Sequence, residues 1–332
     1  MNSVFNFSLR VLLMLLLLCL FTLPGYGQIA ISNVKEIPRL KQGITYVAMK
    51  DTASTIAQTY KEVFRYWTCS KVVFIQYKDI LEYVSPDASF FTIGGFTTTS
   101  TFTHMTSSGG TRPGLSYSTT NIYLELWVCD AKQLEKWKNR KKKKDELPES
   151  VKKIIGRIEL YTDFPTLAFP EKIYDADYDG NGHIRNWGPG YLKIYLQLLM
   201  GLLEKGAEHS LYKGSSDTKQ LRNLKKQTLY VPDYVLIKFN MFNGDESKRH
   251  EEKEILGDYK WPYQLIENEA LNKKIMEEQQ QIYFLVYVRS STDKYISVFN
   301  SQTGDLIYTK YKPASYNIKD DDLKDLADEI GK

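Results

Sequence analysis

The spacing of apolar positions along the chain predicts alternating helices and strands. Ile56, Tyr60, Val63 and Trp67 recur at helical spacing after Asp51-Thr52, a pair suited to a helix start. Residues 71–76 are rich in branched and aromatic side chains and read as a strand. Residues 77–84 read as a short helix stopped by Pro86, whose ring cannot continue it. Residues 89–93 then predict a strand ended by Gly94-Gly95, with a further strand over 122–129 beside it. Farther on, residues 251–258 and 268–278 read as helices around a strand at 263–266. Two strands follow at 281–289 and 294–300, and Gln302-Thr303-Gly304-Asp305 turns the chain into a third at 306–311, with Gly supplying φ > 0. Between these groups, residues 191–203 form a mostly apolar helix, with Pro189 at its first turn and Gly206 at its end. Residues 213–226 read as a polar linker, and residues 320–330 as a closing amphipathic helix.

The pattern repeats. Ile75, Ile80 and Val84 match Ile266, Leu271 and Ile275 at a constant offset. Trp67 and Trp261 each precede a short apolar run, and Phe90–Ile93 answers to Ile282–Val286. Tyr123-Leu124-Glu125-Leu126-Trp127 matches Tyr295-Ile296-Ser297-Val298-Phe299 at a shorter offset, because residues 94–120 are an insertion in the first copy. Self-similarity of this extent argues for duplication of one supersecondary unit. The expectation is an α/β (α+β) protein of two related mixed units with a helical connection. The boundaries are 28–160 for the first unit, 161–226 for the connection and 227–332 for the second unit.

The N-terminus changes the compartment. Ten apolar residues, 11–20, follow Arg10, and Gly25 and Gly27 stand three and one positions before Gln28. That apolar run is short of the ~20 residues a membrane span needs, and the small residues fit a signal-peptide cut ahead of Gln28, so 1–27 is expected to be removed. The mature chain is expected to have no transmembrane segment and to be exported: periplasmic, outer-membrane-associated or secreted. Losing Arg10 lowers the formal charge from +4 to +3, too slight for a nucleic-acid footprint. Cys69 and Cys129 remain; an oxidising compartment permits one bridge between them, and their aromatic surroundings suit two buried thiols equally well.

Three features carry candidate chemistry. Asp175, Asp177, Asp179 and Asn181, with Gly180, match the opening of a Ca²⁺-binding loop, in which alternate side chains aim hard oxygen ligands inward. The match ends there: the twelfth position is Asn186 and not the bidentate Glu, and a solvated Asp/Gly turn is the alternative. In the insertion, 14 of the 24 residues from 97 to 120 are Thr or Ser, interspersed with Phe102, His104 and Tyr117. A segment so long is a partner-binding loop, a floppy insertion or, from its Thr/aromatic alternation, an edge hairpin. The run 138–144 holds six positive charges but is followed by Asp145-Glu146, which suits a solvated turn better than a polyanion site.

Absences bound the function classes. There is no G-x-S-x-G, H-E-x-x-H, Walker loop or G-x-G-x-x-G after a strand, and the four histidines follow no ligand spacing. Trp67-Thr68-Cys69, Phe74-Ile75, residues 85–91 (SPDASFF), residues 287–294 (YVRSSTDK) and Tyr316-Asn317-Ile318-Lys319 together resemble uncharacterised exported proteins of Bacteroidota. The resemblance spans most of the mature chain and implies an envelope or secreted location in a Gram-negative cell, with no activity attached. The expected function is binding of an envelope partner or ligand, without catalysis. The alternative is a hydrolase with carboxylates between the units and a structural Ca²⁺.

Overall fold

The computed structural model describes residues 27–105, 109–140, 146–168, 173–174, 183–240, 243–277, 280–290 and 293–332; strand residues 96–105 and 111–119 are described through their backbone. The first half runs β1 (Ile29–Ile31), α1 (Ile37–Gln42), β2 (Ile44–Met49), α2 (Thr55–Val63), β3 (Lys71–Gln76), α3 (Ile80–Tyr83), β4 (Ala88–Met105), β5 (Thr111–Cys129), α4 (Ala131–Lys138) and β6 (Lys152–Leu160). After α5 (Phe164–Ala168) and the long helix α6 (Pro189–Lys205) come β7 (Ser215–Ser216), α7 (Thr218–Leu221), β8 (Leu229–Pro232), β9 (Ile237–Asn240), β10 (Asp245–Arg249) and α8 (Glu252–Leu256). The chain closes with β11 (Tyr263–Ile266), α9 (Asn268–Met276), β12 (Tyr283–Ser290), β13 (Asp293–Asn300), β14 (Leu306–Lys312) and α10 (Asp320–Gly331).

Local chemistry accounts for the element ends. Ser54 caps α2, its hydroxyl accepting from the Ala57 N–H, while the Asp51 carboxylate takes the N–H groups of Ala53 and Ser54. Pro189 opens α6 after Gly188, and Gly206 closes it in the left-handed region at φ 63°. The N–H groups of Gly190 and Tyr191, orphaned at the start of α6, donate to Oδ1 of Asn272 on α9.

Two six-stranded sheets result, ordered β1-β6-β5-β4-β2-β3 and β7-β14-β13-β12-β8-β11. In each, one end is parallel (β3, β2 and β4; β11, β8 and β12) and the rest antiparallel. Order and sense agree strand for strand. The matched sequence positions fall on equivalent elements: Ile75 and Ile266 on β3 and β11, Ile80 and Leu271 on α3 and α9, Tyr123 and Tyr295 on β5 and β13. The protein is therefore α/β, with two units of one topology, an arrangement compatible with duplication.

The units share a core. Helix α6 lies between the sheets: Leu199 meets Gly156 of β6, while Tyr191 and Tyr195 set their rings edge-on to Phe284 of β12 and Phe299 of β13. Tyr191, Ile194, Tyr195, Leu196 and Leu202 are wholly buried there, in one apolar cluster that includes both sheets. A smaller cluster on the outer face of the first sheet joins Phe90, Trp127 and Cys129 to Leu134 and Trp137 of α4.

Two sequence expectations are corrected. Strand β4 does not stop at Gly94-Gly95 but runs on to Met105. Gly94 is needed there for close approach, since a Cβ would stand 2.9 Å from the Glu125 carboxyl carbon; it is not a terminator. Residues 213–226, read as a polar linker, carry β7, which pairs with β14, and α7.

Candidate functional site

The insertion is a hairpin. Strands β4 and β5 stay paired from Ser89↔Val128 out to Met105↔Thr111, with one irregularity between Thr101 and Thr103. Strand β2 accompanies β4 only as far as Phe91, and β6 accompanies β5 only from Ile122 onward. Beyond those limits the ribbon has no third strand among the described residues. At ~3.4 Å per residue, 96–105 extends roughly 30 Å past the sheet. Its root is fixed: Tyr174 Oη accepts from the Ile93 N–H, Tyr174 stacks on Tyr77, and Asn121 bonds Ser290 of the second unit. The equivalent hairpin of the second unit is tight, with β12 and β13 ending at Ser290↔Asp293.

Of the residues expected to contact a partner, His104 pairs opposite Arg112 and Tyr117 opposite Ser100, with Phe102 at the irregularity. Their side chains lie outside the described residues, as do Asp175, Asp177, Asp179 and Asn181 of the expected Ca²⁺ loop. Asn186, at that loop's twelfth position, is in the core: its Oδ1 accepts from the Tyr161 N–H, and its Nδ2 donates to Glu159 O and Tyr195 Oη. A ligand role for Asn186 would break these bonds. Among the described residues no group of three or more His, Cys, Asp or Glu side chains converges to hold a metal.

A second polar constellation lies where the units meet. A cleft of about 280 Å³ is lined by Arg185, Asp233, Tyr234, Arg249, Glu267 and Asn268, with Ile184 and Ile237. Asp233 Oδ1 accepts from the Asn268 N–H at the start of α9, and Arg249 Nη1 stands 3.8 Å from Asp233 Oδ2. Behind the cleft, Glu246 of β10 bridges Arg289 and Arg185. The Arg289 guanidinium is buried 3.7 Å from the Phe239 ring centroid and 5.0 Å from that of Tyr161. On the same stretch as Arg185, His183 Nδ1 pairs with the Asp163 carboxylate, whose other oxygen accepts from the Thr166 N–H. Burial alone would raise the Asp163 pKa, but the Thr166 hydroxyl and N–H and the His183 imidazole together hold it below the usual carboxylate range.

Arg185, Asp233 and Glu246 belong to no motif of the sequence, and Arg289 stands in one only as part of residues 287–294. They stand on four different segments with no common spacing, so only the fold assembles them. Cys69 and Cys129 are free and lie apart in packing, Cys69 against the shared core and Cys129 in the outer cluster. Burial pushes the Cys129 thiol up to about 11 and raises that of Cys69, so neither is a ready nucleophile at neutral pH.

The geometry thus defines a two-unit α/β protein with one extended β-ribbon and a charged cleft at the junction. No family model, no curated protein and no solved structure matches the chain.

Proposed function

We propose that the protein is an exported envelope or secreted binding protein that engages a protein partner through the ribbon of β4 and β5. One observation carries this reading. Two units of the same strand order differ at equivalent hairpins, one closing at Ser290↔Asp293 and the other continuing to Met105↔Thr111. A two-stranded ribbon is marginal in water by itself and presents unpaired main-chain groups along both edges. An extended segment of a partner satisfies such an edge by strand addition, with specificity from alternate side chains.

Deleting residues 97–120 tests this. The variant is expected to fold yet lose partner capture from envelope fractions, and the captured partner is expected to slow amide exchange along 96–105 or 111–121 of the intact chain. Capture that survives the deletion, or leaves those amides exchanging as before, rejects the reading.

The hydrolase alternative has one observation in its favour, the His183–Asp163 pair beside the junction cleft. A His–carboxylate pair is the usual general-base arrangement. Loss of a measured hydrolytic activity in His183→Ala, with the fold retained, would select it over the binding reading.

A further inference from the structure

We infer that removal of the leader completes the fold, seating Gln28 between the units as a structural N-terminus whose new α-ammonium is taken up by Glu159. The inference rests on the export reading, which places the cut between Gly27 and Gln28.

Both residues lie at the junction. The Gln28 side chain is buried, its Nε2 donating to Glu159 O at 3.3 Å and to Tyr195 Oη of α6 at 3.5 Å. Gly27 abuts the second sheet, where a Cβ would stand 2.2 Å from Thr309 Oγ1 of β14. Strand β1, which follows, pairs with β6, and Ile31 also bridges His209 on the way to the second unit. The first residues after the cut therefore join β6 to α6 and to the segment that follows it.

The backbone at the cut is strained while the chain is intact. The Ile29 N–H donates to Gly27 O at 2.6 Å, closing a three-residue turn with Gln28 at φ 58°. Such a turn is rare, and a non-glycine residue in that region is unfavourable. The torsion exists only because the Gly27 carbonyl carbon is bonded to the Gln28 nitrogen. Hydrolysis adds water across that bond, leaving a carboxylate on Gly27 of the departing leader and an ammonium on Gln28. The strain ends with the bond.

The charge has a place to go. Gln28 and Glu159 lie opposite each other, the Glu159 N–H donating to Gln28 O at 2.9 Å. Glu159 is fully buried; one of its oxygens accepts from Arg157 Nε, and Oε2 has no partner among the described residues. The charged and titratable groups that act on it are Arg157 on β6 and Asp293 and Tyr295 on β13. Arg157 pairs with one Glu159 oxygen, and an α-ammonium at Gln28, just ahead of the neighbouring strand β1, offers a cation to the other.

The test compares the mature chain beginning at Gln28 with one retaining Gly27, each with and without Glu159→Gln, after N-terminal sequencing of the exported protein. The exported chain is expected to begin at Gln28. The Gln28 form is expected to show a folding equilibrium constant about tenfold above the Gly27 form, with most of that advantage gone in Glu159→Gln. If Glu159→Gln does not fold, selective acetylation of the α-amine on the wild-type chain serves instead and is expected to remove the same advantage. An exported chain that starts elsewhere overturns the export reading and this inference with it. One that starts at Gln28 but has no advantage, or keeps it without the Glu159 carboxylate or the free amine, overturns this inference alone.

Discussion

At the scale of single residues, the buried charges decide what can be changed. Asp163 titrates below its unfolded value because Thr166 and His183 outweigh the cost of burial. A depressed carboxylate stabilises the fold above the unfolded pKa of ~3.9 and loses that contribution as pH falls through the lower folded value. Asp163→Asn should therefore lower Tm by about 2 °C at pH 7, with the gap closing below about pH 4 in a thermal melt series. Glu246 sits differently, as the partner of an Arg289 guanidinium that is 1% exposed. Glu246→Ala leaves that charge buried and uncompensated, and chemical denaturation should register a loss of about 3–5 kcal/mol. The Ca²⁺ proposal is settled on Asp177. If 175–181 binds the ion, millimolar Ca²⁺ raises Tm over EDTA, by the equivalent of ~2.7 kcal/mol at a hundredfold excess over Kd, and Asp177→Ala removes the shift. Equal melting with and without the ion leaves a turn.

At the scale of elements, the ribbon and α6 are opposites. Helix α6 is buried on nearly every side, which follows from its mostly apolar sequence and explains why it has no single polar face. Beyond Gly95 and Asn121 the two strands of the ribbon pair with each other and with no third strand among the described residues. Deleting 97–120 should accordingly keep Tm within about 2 °C of the parent, since no strand of either sheet loses a neighbour. A melt that collapses on deletion would show the ribbon to be part of the body. The expected strand end at Gly94-Gly95 failed for a reason specific to this element. Glycine marks a turn when φ > 0 is needed, but it also marks close approach, and Glu125 reaching across from β5 makes it the latter.

At the scale of the whole molecule, one apolar cluster extends through both sheets and α6, so the halves share their main interior. Unfolding should be a single transition by far-UV and near-UV probes. Leu199→Ala should shift it by about 2–5 kcal/mol without splitting it, because Leu199 packs in the shared core against β6. Two resolved transitions would show that the units fold independently in spite of the common core. Asn272 of α9 capping α6 and Ser290 bonding Asn121 add polar ties across the same boundary.

What the chain determined alone was local. Period and propensity set β3 and β11 to the residue, placed α2, α6 and α10, and related the two units through apolar positions that recur in order, because these signals depend on neighbours a few residues apart. Short strands such as β7 and β9 carry too few residues for a period to show, and they form because an edge or a partner strand is waiting. The junction cleft was beyond reach for the same reason: Arg185, Asp233, Glu246 and Arg289 meet only after two sheets close on one helix. The ribbon stands between these cases. Its Thr and Ser content and Thr/aromatic alternation left a binding loop, a floppy insertion and an edge hairpin open, and the choice of the hairpin depended on main-chain bonds between residues as far apart as Ser89 and Val128, which only the tertiary structure brings into register.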